Sequence, residues 1–379
     1  MTQRRKPGRE ALIAAKRVVV KIGTNALTNA TGKFHRAHFE RLAHELLALA
    51  KTRELIIVSS GAIALGVERL RLSAKPKDVP GKQACAAVGQ SRLMRAWEEA
   101  LDPRVVAQVL LTHSDVQDRR RYLNARHTLE RLISDEVIPV INENDTVSVD
   151  EIKFGDNDTL AGLVAGLVSA DALVVLSDVE GLYDADPRTH AEATLISTVT
   201  GVTRAMLAAA GGSGSSVGTG GMATKLRAAA RVSELGIRCV IAAGQEAGTL
   251  SRVFAGEEVG TLFEPVSDRR DARAAWIAHA LKPRGTVRVD AGAHTAVLER
   301  KKSLLPSGIT AVEGNFAHGD PVDLVAPDGV VFARGLVAYP ADDLRRIAGK
   351  KTSQIEATLG YRGLDEAVHR DDLVVLSIK

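Results

Sequence analysis

The stretch "RVVVKI", residues 17–22, has three consecutive valines and an isoleucine around one lysine. An apolar run without alternation predicts a strand covered on both faces, as in a parallel sheet packed between helices. Four further runs have the same character: "LIIVSS" (55–60), "VIPVIN" (137–142), "ALVVLSD" (172–178) and "IRCVIAAG" (237–244). Helix-patterned stretches separate them, at 36–51, 122–134, 159–170 and 222–235. This alternation predicts a doubly wound, mostly parallel α/β sheet.

The pattern changes near Pro265, beyond which short strands and turn residues predominate. Strands of a second, small β-rich domain are predicted at "GTVRVDAG" (285–292), "HTAVLER" (294–300), "DPVDLVAPDG" (320–329) and "VVFARGLVAY" (330–339). Residues 342–349 and 353–360 predict helical turns. The predicted division is an N-terminal extension (1–15), an α/β domain (16–266), a linker (267–283), the β-rich domain (284–362) and a C-terminal tail (363–379).

The composition is ordinary for a globular protein. Of the 379 residues, 45% are hydrophobic and 25% are charged, and the net charge is +4. This mild basicity fits an anionic small substrate or weak nucleic-acid contact and favours neither. Cys85 and Cys239 form no CxxC pair, which favours a reducing compartment. No apolar run reaches the roughly 20 residues that cross a bilayer, so a cytoplasmic protein without membrane contact is expected.

Polar or glycine-rich residues follow each of the five predicted strands of the α/β domain. They are Lys21 and Gly23, Ser60, Asn142 and Asp145, Ser177 and Asp178, and Gly244. Ligands of doubly wound sheets bind at the carboxyl ends of the strands. Each residue taken singly is compatible with a simple turn after a strand. Together they predict a site in which serine and asparagine bind a substrate carboxylate and Asp145 binds its ammonium group.

A glycine-rich run, "GGSGSSVGTGGMATK" (211–225), leads into the helix predicted at 222–235. It is not a Walker A loop, because Thr224 rather than glycine precedes Lys225. Its composition fits a flexible linker. Glycine amides before a helix that carries a lysine also fit a phosphate site. The run alone does not decide between a linker and a phosphate site. Lys21 likewise has two interpretations: a solvated residue at a strand end, or a cation that binds a phosphate.

The segment "FGDNDTLAGLVAGL" (154–167) begins with Asp156, Asn157 and Asp158. One helix cap needs only a single such residue. A carboxylate here could therefore hold the ammonium groups of Lys21 and Lys225 between a phosphate and its acceptor. Two lysines, glycine amides and one carboxylate suit phosphoryl transfer, which depends on positioning and charge neutralisation. Magnesium would enter with ATP, held by phosphates and water.

Six motifs together resemble one known family: "VVVKIGTNALT", "IVSSGAIALG", "PVINENDTV", "KFGDNDTLA", "LSDVEGLYDADPR" and "GTGGMATKL". Their order and approximate spacing are those of the bacterial glutamate 5-kinases, a group within the amino acid kinase superfamily. The C-terminal part, with "GNFAHGD", "RRIAG" and "AVHRDD", resembles the PUA domain attached to many of these kinases. The resemblance implies ATP-dependent phosphorylation of the glutamate γ-carboxylate to glutamyl 5-phosphate, the first step of proline biosynthesis.

The resemblance also implies roles for individual residues, motif by motif. The catalytic residues would be Lys21 and Lys225, which contact the ATP phosphates, and Asp158, which organises both lysines. The ATP-binding residues would be Lys21, Gly23, Ser177, Asp178, Thr219, Gly220, Gly221, Met222, Ala223, Thr224 and Lys225. The glutamate-binding residues would be Ser60, Asn142, Asp145 and Asn157. No protein ligand of a metal is implied, and the family leads us to expect feedback inhibition by proline and a homo-oligomer, dimer or tetramer.

Two alternatives remain open. The chain could be another amino acid kinase, acting on aspartate, acetylglutamate or carbamate. It could instead bind RNA through the β-rich domain, whose basic residues are Lys301, Lys302, Arg345, Arg346, Lys350 and Lys351. Few aromatic side chains accompany them, so base stacking is weakly supported and the pattern favours a solvated basic face over an RNA-binding surface.

Overall fold

The computed structural model describes residues 7–29, 32–148, 157–210, 221–266, 282–361 and 363–376. The chain forms two compact units, each with its own sheet. The first comprises Met1–Gln117 and Asn124–Asp268, and the second comprises Asp118–Leu123 and Arg269–Lys379. Most of the linker predicted at 267–283 lies outside the described residues, so the domain division remains a prediction.

An eight-stranded sheet forms the centre of the first unit. Its strands are β1 (Arg17–Ile22), β2 (Glu54–Ser59), β3 (Val106–Leu111), β4 (Ile138–Glu143), β5 (Ala172–Ser177), β6 (Thr198–Thr200), β7 (Arg238–Ala243) and β8 (Thr261–Glu264). Their order is β3-β4-β2-β1-β5-β7-β8-β6, and only the β7/β8 pair is antiparallel. The predicted doubly wound, mostly parallel sheet is therefore confirmed. The sequence did not predict three of these strands. β6 and β8 have only three and four residues and leave no clear pattern, and β3 is an edge strand whose apolar run is interrupted by the exposed Gln108.

Helices cover both faces of this sheet. They are α1 (Pro7–Ile13), α2 (Arg36–Ala50), α3 (Ala62–Arg69), α4 (Val79–Leu101), α5 (His113–Gln117), α6 (Arg119–Ser134), α7 (Asn157–Leu167), α8 (Arg204–Ala210), α9 (Met222–Glu234) and α10 (Thr249–Phe254). On one face, Val18 and Ile22 of β1 share a core with Phe39 of α2 and Trp97 of α4. On the other, α7 packs against β1 and against α9. Within the described ranges, no helix is long and apolar enough to cross a membrane.

Helices α3 and α4 pack unusually closely because each has a glycine at the contact. A Cβ atom on Gly66 would lie 1.8 Å from the carbonyl oxygen of Cys85, and one on Gly89 would lie 1.8 Å from that of Ala62. Any side chain at either position would force the helices apart. The two glycines thus fix the position of α4 beside the first turn of α3, close to the end of β2.

The sequence predicted no role for the N-terminal extension, whose described part, from Pro7 onward, contains α1 and a buried arginine. Arg9 is 1% exposed, and its guanidinium donates hydrogen bonds of 2.8–3.0 Å to four backbone carbonyls. The acceptors belong to Ser197, Glu257, Val259 and Gly260. This side chain ties α1 to the strands β6 and β8, because the acceptors flank both.

The second unit contains a five-stranded sheet in the order β10-β9-β11-β12-β13. The strands are β9 (Gly285–Val289), β10 (Ile309–Gly314), β11 (Pro321–Val325), β12 (Val331–Leu336) and β13 (Leu373–Val375). The accompanying helices are α11 (Ala291–Leu298), α12 (Ala341–Ile347) and α13 (Ile355–Leu359). Val322, Phe332 and Leu344 lie in a core separate from that of the first unit. The predicted small β-rich region is confirmed, and its sheet is mixed since β9 and β11 are parallel.

The strand predicted at "HTAVLER" (294–300) is wrong, because these residues form most of α11. The side chain of Asp290 accepts a 2.7 Å hydrogen bond from the amide of Ala293 and caps the helix. Val297 is the buried residue of this helix, and the ring of His294 lies edge-on to Phe332. The strand was predicted from alternating polar and apolar residues. A short helix that buries only Val297 has no clear helical pattern, so its sequence resembled a strand.

Candidate active site

Six parallel strands bring their carboxyl ends to one edge of the larger sheet. Lys21 and Gly23 stand at the end of β1, and Ser60 follows β2. Asn142 is the second-last residue of β4, and Ser177 is the last residue of β5. The sequence predicted these residues at strand ends, and parallel pairing places them along one line. A ligand at this edge would meet side chains from strands that are distant in sequence.

Three charged groups form the centre of the candidate site. Lys21 Nζ lies 2.5 Å from Oδ1 of Asp158, and Lys225 Nζ lies 3.2 Å from Oδ2 of the same carboxylate. Asp158 is 0% exposed and each lysine is 5% exposed. The hydroxyl of Thr224 donates to Asp158 Oδ2 at 3.0 Å. With two ammonium groups on one carboxylate, the cluster carries a net charge of +1 in surroundings where electrostatic attraction is strong.

The local structure explains why these three residues meet. Within β1, Val18, Val20 and Ile22 point to the core shared with α2, so Lys21 points to the opposite face, which α7 covers. Asp158 lies in the first turn of α7. Lys225 is the fourth residue of α9, which packs beside α7.

Gly23 keeps the space beside Lys21 open. A Cβ atom at this position would lie 3.3 Å from Lys21 Nζ and 3.4 Å from the carbonyl oxygen of Leu176. A side chain would therefore cover the ammonium group that the sequence analysis directed at a phosphate. The amide of Gly23 donates a 3.3 Å hydrogen bond to Leu176, which holds the turn after β1 against β5.

The phosphate-side loop predicted at 219–225 is described only in part. Gly221 is the N-cap of α9, and Met222, Ala223 and Thr224 are half-buried ahead of Lys225. Thr219 and Gly220 lie outside the described residues, as does the preceding glycine-rich stretch 211–218. The described half of the loop brings the beginning of a helix and a buried lysine to the Asp158 cluster.

Ser177 and Asp178 form a neighbouring hydrogen-bonded group. The hydroxyl of Ser177 donates to Asp178 Oδ1 at 2.9 Å, and the amide of Asn25 donates to Asp178 Oδ2 at 2.9 Å. Asp178 is exposed at its outer edge and only partly removed from solvent. This partial burial alone would raise its pKa, but the hydrogen bonds from Asn25 and Ser177 outweigh it and lower the pKa below its ordinary value. Asp178 is thus held ionised. The sequence analysis did not include Asn25 among the site residues, although it belongs to the polar run that ends β1.

Three predicted glutamate-binding residues are in direct contact. The amide nitrogen of Asn157 donates to the hydroxyl oxygen of Ser60 at 2.7 Å and to Oδ1 of Asn142 at 3.0 Å. It also lies 3.3 Å from the carbonyl oxygen of Ser59. Asn142 in turn donates to Gln90 of α4 at 2.8 Å. Gln90 was missed because the two glycines and several polar residues of α4 weaken its helical pattern.

Asp145, the fourth predicted glutamate-binding residue, lies in the turn that follows β4. Its pKa is raised to about 6, chiefly by burial and also by the neighbouring charge of Glu143, while Lys75 partly offsets both. Among the hydrogen bonds of the described residues, none joins Asp145 to Ser60, Asn142 or Asn157. It is a partly buried carboxylate available to a cationic group, and Lys75 is a neighbour that the sequence did not predict.

In the described part of the chain, no group of three or more His, Cys, Asp or Glu side chains could hold a metal ion. Buried lysines on a shared carboxylate and amide groups instead suit the transfer of a phosphoryl group between two anionic partners. The edge of the sheet therefore has the features of a phosphotransferase site.

Comparison with known proteins identifies the family. The model of the amino acid kinase family matches residues 16–243, and that of the PUA domain matches residues 285–359. The chain belongs to the amino acid kinase family, which confirms the resemblance inferred from the six motifs.

Three curated relatives, all called glutamate 5-kinase, are similar over nearly their whole length. The protein of Myxococcus xanthus is 68% identical over 371 residues, covering 97% of this chain and 98% of the relative. That of Anaeromyxobacter dehalogenans is 52% identical, with coverage of 97% and 98%. That of Geobacter sp. (strain M21) is 51% identical, with coverage of 97% and 100%.

Proposed function

We propose that this protein transfers the γ-phosphoryl group of ATP to the γ-carboxylate of L-glutamate. The product would be L-glutamyl 5-phosphate, and the reaction would begin proline biosynthesis from glutamate. The contact of Lys21 and Lys225 with the buried Asp158 is the observation that carries the proposal. The similarity to glutamate 5-kinases over 97% of the chain supports the choice of acceptor.

The proposed chemistry requires charge neutralisation rather than a strong base. A carboxylate acceptor is already ionised at neutral pH, so its oxygen can attack phosphorus without losing a proton. Negative charge on the acceptor and on the phosphoryl oxygens would repel. Lys21 and Lys225 would offset this repulsion, and Asp158 would hold both ammonium groups at the point of transfer.

The two substrates would occupy opposite sides of the Asp158 cluster. On the ATP side we propose the turn at Gly23, the pair Ser177 and Asp178, and the loop from Thr219 to Lys225. On the glutamate side we propose Ser60, Asn142, Asp145 and Asn157. The support is the contact of Asn157 with Ser60 and Asn142, and the exposed position of Asp178 at the end of β5.

Other parts of the proposal extend beyond the site. Mg²⁺ would accompany ATP, held by its phosphate oxygens and water, and would contribute positive charge near the phosphates. We also propose a cytoplasmic homo-oligomer inhibited by proline, with the chain divided at 267–283 between the kinase and PUA regions. RNA binding by the PUA region would be recognised by a salt-dependent affinity in a titration with RNA.

The decisive assay offers the protein ATP, Mg²⁺ and one acceptor at a time, with hydroxylamine to trap an acyl phosphate as its hydroxamate. The acceptors are L-glutamate, L-aspartate and N-acetyl-L-glutamate, and reactions without ATP are the control. We expect hydroxamate with L-glutamate. A strong signal with aspartate and none with glutamate would overturn the proposed acceptor.

A further inference from the structure

A chain of side-chain amides runs from the glutamate side of the site to helix α4 and ends at Gln90. Asn157 donates to Asn142, and Asn142 donates to Oε1 of Gln90. We propose that Gln90 is a positioning residue for the acceptor: it fixes the orientation of Asn142 and, through Asn142, that of Asn157. This inference rests on the proposed function for the identity of the acceptor.

The orientation of the whole chain is set by one backbone carbonyl. The oxygen of Ser59 can only accept, so the side-chain atom of Asn157 that lies 3.3 Å away is the amide nitrogen. The atom of Asn142 that faces this nitrogen must then be its oxygen, at 3.0 Å. The nitrogen of Asn142 is thereby turned towards α4, where it donates to Gln90 at 2.8 Å. Each amide fixes the next because its donor and acceptor ends differ.

Both ends of this chain are anchored in the fold. At one end, the buried indole of Trp97 donates to the hydroxyl of Ser59 at 3.0 Å, and that hydroxyl donates to the carbonyl of Ser60 at 3.0 Å. At the other end, Gln90 directly follows Gly89, which is in van der Waals contact with α3. Gln90 and Trp97 are two helical turns apart on α4, so one helix holds both ends.

The fixed orientation determines what the site presents to a ligand. The nitrogen of Asn157 has three acceptors within 3.3 Å, so both of its hydrogens are engaged. Its oxygen is buried, and no described residue donates to it. Because an unpaired buried acceptor is unfavourable, this oxygen is suited to a ligand that donates. The donor groups of glutamate are the N–H bonds of its α-ammonium, since both carboxylates are ionised.

Ser60 receives the complementary assignment. Its hydroxyl oxygen accepts from Asn157, which leaves the hydroxyl hydrogen for a ligand acceptor. A carboxylate oxygen of glutamate is such an acceptor. If Gln90 did not hold Asn142, the Asn142 amide could reverse, and the nitrogen of Asn157 would face another nitrogen instead of an oxygen.

The test compares glutamate with glutarate, which has both carboxylates but lacks the α-ammonium. The variant Gln90→Met keeps the length of the side chain and removes the acceptor, whereas Gln90→Glu retains an acceptor oxygen. In Gln90→Met we expect the KM for glutamate to rise on the order of tenfold, with kcat and the KM for ATP changed less than about threefold. The preference for glutamate over glutarate in kcat/KM should fall by a similar factor. Gln90→Glu should retain most of the preference for glutamate over glutarate.

A control variant and a double variant separate positioning from general damage. Gln83→Met removes a glutamine of the same helix whose amide donates to the carbonyl of Ser148 and has no bond to Asn142, and it should keep the glutamate preference. In an Asn142→Ala background, Gln90→Met should have no further effect, because the residue through which it acts is gone.

Three outcomes would overturn the inference while leaving the proposed function intact. They are an unchanged KM in Gln90→Met, an equal loss of activity with glutamate and glutarate, and additive effects with Asn142→Ala. If Gln90→Met does not fold, Gln90→Glu alone decides the question, since loss of the glutamate preference there would contradict a role as acceptor. Failure of wild-type protein to phosphorylate glutamate would instead count against the proposed function.

Discussion

The ammonium of Lys21 lies 2.5 Å from the carboxylate of Asp158, although one residue belongs to the first strand of the sheet and the other to helix α7. Asp158 is fully buried, which is unfavourable for an ionised carboxylate without partners. Its second oxygen is engaged by the ammonium of Lys225, so the pair becomes a cluster with an excess of one positive charge. The excess positive charge suits the cluster to an anionic ligand.

Replacing Asp158 by asparagine tests whether its negative charge, rather than the size of its side chain, holds the two lysines in position. Asp158→Asn keeps the side-chain size, removes the negative charge and leaves two ammonium groups that repel each other. We expect kcat to fall by about 100-fold or more, because the lysines would lose their fixed positions. The hydroxamate assay with L-glutamate measures this. Asp135→Asn is the control, since that carboxylate is exposed and pairs with Arg131, and it should retain wild-type turnover. A kcat for Asp158→Asn close to that of wild type would argue against the role of Asp158.

The variant Lys225→Ala tests the glycine-rich run as a phosphate-side loop. Removing this buried ammonium should lower kcat by two to three orders of magnitude if Lys225 neutralises the transferring group. The far-ultraviolet circular dichroism spectrum should remain that of the wild type. Arg227→Ala removes an exposed cation two residues further along the same helix and should leave turnover unchanged. Near-normal turnover in Lys225→Ala would favour the linker interpretation of the run.

The sequence predicted five of the eight strands of the larger sheet, and the line of site residues, because both have a local signature. Runs such as residues 17–22 are mostly apolar, and polar residues stand at or just after their ends, at Lys21, Ser60 and Ser177. Parallel pairing of the strands then brings these residues to one edge. Gln90 has no such signature, since its role arises from a helix that the closely packed Gly89 brings next to β4. Arg9 resembled any charge of a basic N-terminal segment, and only the tertiary structure surrounds it with carbonyls.

Asp145 should give the reaction a pH dependence. Its pKa is raised to about 6, so it is ionised at neutral pH and takes up a proton as the pH falls through 6. The neutral acid cannot attract the α-ammonium of glutamate. We therefore expect kcat/KM for glutamate to fall by up to about tenfold per pH unit below 6, because this parameter reports the groups of the free enzyme.

The comparison with Asp145→Asn tests this assignment. The variant should have a higher KM for glutamate at pH 8, on the order of tenfold or more, and its profile should lack the decline near pH 6. The KM for ATP serves as the internal reference and should be similar in both proteins. If the decline near pH 6 persists in Asp145→Asn, another group is responsible for it.

Arg9 should contribute to stability without affecting catalysis. Its guanidinium donates to four carbonyls, including those of Ser197 and Val259, and none of the four belongs to a residue of the candidate site. Arg9→Met should remove these four hydrogen bonds and lower the free energy of unfolding by about 2–4 kcal/mol, since buried hydrogen bonds to a charged group are strong. Denaturant unfolding measures the loss, and Glu10→Gln, a change at the exposed neighbour, is the control. The kcat of Arg9→Met at low temperature should equal that of wild type, and an unchanged unfolding midpoint would contradict the anchoring role of Arg9.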